Sequence, residues 1–172
     1  MEITRSEIEN LSQKLKSRGQ IDWDLTIGSQ RPENPVEWKE VEKSRRNNTS
    51  FLKETVKKYG WPTKIVVGSA ASHWAWYIAQ HSDHNIRFQE KCLAKMKELP
   101  TDRVEKYDLA YLEDRVRVNL GQRQLYGTQY KEISEGFREM LPVENSNRLE
   151  KRRKEMGLDE SFEDYHKRMI SE

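Results

Sequence analysis

The chain has 172 residues, of which 34% are hydrophobic and 35% charged, a size that suits one domain with a continuous buried core. Its 31 Lys and Arg nearly cancel its 29 Asp and Glu, and the two signs alternate in small groups. That balance argues for solvated helix faces and against a nucleic-acid-binding stripe.

One cysteine, Cys92, excludes an intramolecular disulfide, and the opening MEITRSEIENLSQKLKSRG lacks the apolar stretch of a signal peptide. The expected compartment is the cytoplasm. The most apolar run, IVVGSAASHWAWYIAQH, contains His73 and small polar residues and is too short for an ordinary membrane span.

In chain order, Ser6 to Arg18 places Ile8, Leu11 and Leu15 on one helical face, with Gly19 as a stop signal. The following stretch QIDWDLTIGSQRPENP has turn composition and reads as an ordered loop anchored by Trp23 and Leu25. Asn34 as cap and Pro35 in the first turn open a second helix, whose stripe of Val41, Asn48, Leu52 and Val56 includes a polar residue. YGWP ends it. A third helix, from about Ser69 to His81, is apolar on most sides, as a central helix would be. Ser82 or Asp83 can cap a fourth, running to Leu99 with Ile86, Gln89, Leu93 and Met96 on one face. A fifth runs from about Asp102 to Leu120, with Leu109, Leu112 and Val116 inward and Arg115 beside them.

The period then changes. QLYGTQYKEISEGFREMLPVEN reads as two extended stretches around the turn SEG, a β-hairpin. Asn145 or Ser146 can cap a sixth helix over NRLEKRRKEMG, and DESFEDYHKRMI forms a short last one with Phe162, Tyr165 and Met169 on one side. The expected fold is mainly α: a single-domain helical bundle with one β-hairpin near the C-terminal third. Its parts are an N-terminal helix and loop (about 1–33), a helical core (about 34–120), the hairpin (about 121–145) and C-terminal helices (about 146–172).

The chemistry-bearing stretch is YIAQHSDHN, Tyr77 to Asn85. His81 ends the central helix and Asp83 follows at a helix start, where backbone N–H groups favour a negative charge. Capping and core packing account for these two residues by themselves. Asn48, Gln89 and Arg115, however, also border the inward stripes of their helices, and burying such groups is costly without partners. They satisfy one another in a structural network or they line a polar pocket.

Other chemistries have less support. A divalent metal at His81, Asp83 and His84 matches no recognised ligand spacing, and His73 lies eight residues upstream of His81, so no cofactor is expected. Cys92 and the serines lack a nucleophile motif. Trp74 and Trp76 belong to the central helix, which argues for core packing over base stacking. YGTQ, Tyr126 to Gln129, sets hydrogen-bonding groups around a permissive glycine. Arg152 and Arg153 would form a bidentate anion clamp if turned inward.

NNTSFLKETVKKYGWP, VGSAASHWAWYIAQHSD, LAYLEDRVRVNLGQRQLYGTQ, LPVEN and EKRRKEMGL, in that order, resemble an uncharacterised bacterial family, number 6624 among the domains of unknown function. The similarity covers roughly Asn47 to Leu158. It points to Asn48, Gly60, Trp61, Pro62, His81, Asp83, Gln89, Asp114, Arg115, Tyr126, Gly127, Thr128, Gln129, Arg152 and Arg153. The chain departs from the pattern near Arg45, where an acidic residue would be expected, and at Asn145, where PVEN stands for an acidic ending. The family implies no reaction.

The leading expectation is a small cytoplasmic enzyme, an acyl or phosphoryl hydrolase or transferase, with a pocket between the helical core and the hairpin. His81 would be general acid or base, oriented by Asp83, while Tyr126 and Gln129 position the reacting group. Asn48, Gln89, Arg115, Thr128, Gln129, Arg152 and Arg153 would bind a small-molecule or peptide substrate, with Arg115 and one of Arg152 or Arg153 on its anionic group. The rival is a non-catalytic binding module for a peptide or small anion. Neither reading needs a membrane, and neither sets an oligomeric state.

Overall fold

A computed structural model describes residues 3–30, 36–134 and 137–171. The fold is mainly α with one hairpin, as the periodicity requires. Its contacts divide into two compact units, Met1–Val104 and Glu105–Glu172, and this division falls within the span read as one helical core, about 34–120.

The first unit contains α1 (Arg5–Ser29), α2 (Trp38–Tyr59), the short α3 (Lys64–Val67), α4 (Ser69–Gln80), a 3-10 turn (Asp83–Asn85) and α5 (Ile86–Lys97). A capping box starts α1: the Thr4 hydroxyl accepts from the Glu7 N–H, and the Glu7 carboxylate accepts from the Thr4 N–H. Leu11 and Leu15 of α1, Val41 and Leu52 of α2, Ala75 and Ile78 of α4, and Cys92 and Met96 of α5 are buried together as the core residues of this unit.

Two expectations fail here for identifiable reasons. Gly19 does not stop α1, and residues 20–29 continue the helix instead of forming a loop. Gly19 is there for close approach: a Cβ at this position would lie 2.3 Å from Cε3 of Trp74 on α4. The cap of α5 is Asn85, whose Oδ1 accepts from the Phe88 N–H at 3.2 Å, and not Ser82 or Asp83. Ser82 is instead wholly buried, bonded to the Ile78 carbonyl and to the Thr49 hydroxyl of α2 at 2.8 Å each. The expected caps Asn34 and Pro35 lie outside the described residues, and α2 begins at Trp38 behind Glu37.

The second unit contains α6 (Lys106–Asn119), β1 (Tyr130–Ser134), β2 (Phe137–Met140), a 3-10 turn (Ser146–Arg148), α7 (Leu149–Glu155) and α8 (Phe162–Ser171). The strands pair antiparallel, Tyr130 opposite Met140 and Glu132 opposite Arg138, with a register shift before Ser134. Of the expected turn SEG, Glu135 and Gly136 lie outside the described residues. The hairpin is shorter than the 121–145 expected, because residues 124–129 give up strand pairing to wrap a buried carboxylate. Asn145 takes a left-handed conformation ahead of the 3-10 turn without a side-chain cap bond, and α7 starts after Arg148. Ser161 caps α8 by accepting from the Asp164 N–H at 3.1 Å.

Replacing Gly19 by alanine should therefore destabilise the protein although alanine is the better helix former. The clash with Trp74 is expected to cost about 1–3 kcal/mol, read as a lower urea midpoint at unchanged slope.

Candidate functional site

His81 and Asp83 sit in the first unit, at the end of α4 and in the turn that follows. His81 is the C-cap of α4, half-buried, its ring centroid 4.2 Å from that of Tyr77 in an edge-on arrangement. Together with Trp38, Glu42, Arg45 and Arg46 of α2 and His84, these two residues line a cleft of about 190 Å³. Two arginines, two histidines and two acidic residues thus line one small concavity.

The electrostatics of this cleft are set from behind. Arg45 is the next residue after Val41 on the inward stripe of α2, and its Nε lies 3.6 Å from Oδ1 of Asp22 on α1. Asp22 is wholly buried, and neither of its oxygens accepts a hydrogen bond among the described residues. Burial pushes its carboxyl up to about 6, with the Arg45 charge opposing that rise. Arg45 also donates from Nη2 to the Thr26 hydroxyl at 3.2 Å, and its Cζ lies 5.1 Å from the Trp38 ring centroid. His84 is held below its ordinary pKa by partial burial and then by Arg46 and Lys53.

Other expected site residues brace the helices. Gln89 of α5 donates from Nε2 to the Ala79 and Gln80 carbonyls at 3.2 and 3.1 Å, and to Oδ1 of Asp83 at 3.1 Å. It thereby satisfies the open carbonyl end of α4. Asn48 accepts from Nη1 of Arg18 at 3.2 Å and donates to the Arg18 carbonyl at 3.3 Å, tying α2 to α1.

Tyr126, Thr128, Gln129, Arg115, Arg152 and Arg153 belong to the second unit. Its centre is Asp114 of α6, fully buried, which accepts from the N–H groups of Leu125, Tyr126 and Thr128 and from the Thr128 hydroxyl at 2.6–3.1 Å. Burial raises the Asp114 pKa against the opposing pull of these donors. Gly127 lets the loop close, with a φ of 68° and so little room that a Cβ would stand 2.8 Å from the Phe162 ring. Gln124 bonds the Gln129 main chain on both sides. The Tyr126 hydroxyl lies 3.5 Å from a Glu113 carboxylate oxygen, and Gln129 Nε2 donates to the Thr128 hydroxyl at 2.9 Å.

Both arginines of the double-arginine stretch grip main chain. Arg152 donates to the Leu125, Glu144 and Asn145 carbonyls, and the buried Arg153 to those of Tyr126 and Glu160. Arg115 is half-buried on α6.

Residues 31–171 match the Family of unknown function (DUF6624). The chain belongs to this family. No curated protein and no solved structure matches it. The DUF6624 match starts after α1, so Asp22 and Thr26, which hold Arg45, lie outside it. Among the described residues no group of three or more His, Cys, Asp or Glu side chains is placed to hold a metal ion, and no helix is long and apolar enough to cross a membrane.

Sequence reasoning missed Asp22, Trp38, Glu42, Arg45 and Arg46. A signal existed for two of them. Asp22 continues the α1 stripe of Leu11, Leu15 and Gly19, and Arg45 falls between Val41 and Asn48 on α2.

Two outcomes follow. The Asp22 carboxyl carbon should titrate by NMR with a midpoint near 6. Because the folded state then binds more protons than the unfolded one between about pH 4 and 6, this group withdraws about 3 kcal/mol of stability as pH rises through that window. Asp114→Leu should cost about 3–5 kcal/mol in chemical denaturation, since it leaves buried N–H groups without an acceptor.

Proposed function

We propose that this DUF6624 protein is a small cytoplasmic enzyme that holds an anionic group of its substrate in the His81 cleft of the first unit. Arg45 and Arg46 supply the positive charge, and His81 acts as general acid or base on an acyl or phosphoryl centre, as a hydrolase or transferase. The observation carrying this reading is that both arginines line one cleft of about 190 Å³ with His81, Asp83 and His84. That volume is ample for a carboxylate or phosphoryl group. An imidazole at a cleft wall, with a pKa that is ordinarily near neutrality, can both take and return a proton. The free, buried Cys92 is compatible with a reducing compartment.

In this reading Tyr126, Thr128, Gln129, Arg152 and Arg153 hold the second unit together. The second reading, a binding module for a small anion or a peptide carboxylate, uses the same cleft and the same arginines without a proton-transfer step.

The test uses the full chain, chromogenic phosphate and acyl esters, and melting temperature with orthophosphate or acetate added. The expected result is turnover of one ester class, a fall in kcat of about 100-fold or more in His81→Ala, and loss of the ligand-induced stabilisation in Arg46→Ala. Stabilisation by ligand without turnover of either ester would select the binding module. No stabilisation of the wild type by any anion would reject both readings.

A further inference from the structure

We infer that Asp22 is a positioning residue of the cleft: its buried carboxylate holds the Arg45 guanidinium in one orientation, matched to planar anions such as carboxylates. The inference rests on the reading of the cleft as an anion site and adds to it the source of its geometry.

Hydrogen bonding does not account for the burial of Asp22. It is wholly buried, neither oxygen accepts a hydrogen bond among the described residues, and the cation that faces it is Arg45 Nε at 3.6 Å. A carboxylate so placed is costly to bury, and a buried ion pair of this kind is weak as a source of stability. What the pair accomplishes lies at the other end of Arg45. The guanidinium is held by Asp22 on its Nε side, by the Thr26 hydroxyl on Nη2, and by the Trp38 ring 5.1 Å from Cζ, and the side chain remains 15% exposed where it lines the cleft.

Arg46, its neighbour in the same cleft, is exposed and pairs with no acid among the described residues. One arginine is therefore anchored from behind and the other is an exposed charge. An oriented guanidinium presents its donors as a planar fork, which recognises a carboxylate by shape as well as by charge. The charged and titratable groups facing Asp22 are Arg45 from α2 and the Tyr77 phenol from α4. Burial and the Asp22 charge keep that phenol protonated, so it adds no negative charge.

The experiment compares formate with chloride, two monovalent anions of which only the first is planar, by NMR titration of the isotope-labelled full chain. Order of the Arg45 Nε–H group is measured alongside. In the wild type formate should bind more tightly than chloride and the Arg45 Nε–H should be rigid. In Asp22→Asn the preference for formate should fall by about tenfold and the Nε–H should become mobile, with Asp22→Glu restoring part of both.

If Asp22 contributed charge alone, the substitution would shift both anions by the same factor and leave Arg45 rigid, which overturns the inference. Should Asp22→Asn fail to fold, the wild type decides by acid titration. Arg45 must lose order with the same midpoint as the Asp22 carboxyl carbon, and an Arg45 that stays rigid overturns the inference. A wild type that binds neither anion at the cleft rejects the anion-site reading, while the order of Arg45 still reports whether Asp22 positions it.

Discussion

Helix α1 lies so close to α4 that position 19 has no room for a Cβ against Trp74. This contact governs the first unit. It lets α1 run on past the glycine, and three residues later the same face of the helix carries Asp22 into a wholly buried position beside Arg45 of α2. Arg45, anchored by Asp22, Thr26 and Trp38, forms one wall of the cleft in which His81 and Asp83 stand. A bulkier residue at 19 would have to displace the Trp74 ring of α4.

The second unit solves a comparable problem with a different device. A loop has no regular ladder to satisfy its backbone, so residues 124–129 need an external acceptor. Asp114 supplies it from α6, taking three N–H groups and a hydroxyl, while Arg152 and Arg153 supply donors for the loop carbonyls of Leu125 and Tyr126. The carboxylate and the guanidinium groups together form a polar core in a segment that is short of apolar residues. Buried charges here do the work that aliphatic packing does in α1, α2 and α4.

The two arrangements separate kinds of polar burial that look alike in a sequence. Gln89, Asn48, Asp114 and Arg153 end on backbone groups or on neighbouring side chains that need them, and their bonds account for their burial. Asp22 does not: it is charged, buried and without a hydrogen-bond donor among the described residues. The group it faces, Arg45, reaches the cleft.

Local sequence determined the elements whose ends and faces are set by short-range chemistry. The central helix from Ser69, the end of α2 at YGWP, the polar interruption at Asn48 and a hairpin after the fifth long helix were all legible, since periodicity and the special backbone demands of Gly and Pro act within a few residues. Tertiary structure alone decided the fate of Gly19, whose local reading as a stop is reversed by a tryptophan fifty-five residues away. It likewise decided that YGTQ wraps Asp114 instead of entering a strand, and that the acid behind Arg45 comes from α1. In each case a contact distant in the chain outweighed a local preference worth about 1 kcal/mol. Such contacts leave no periodic trace in the sequence.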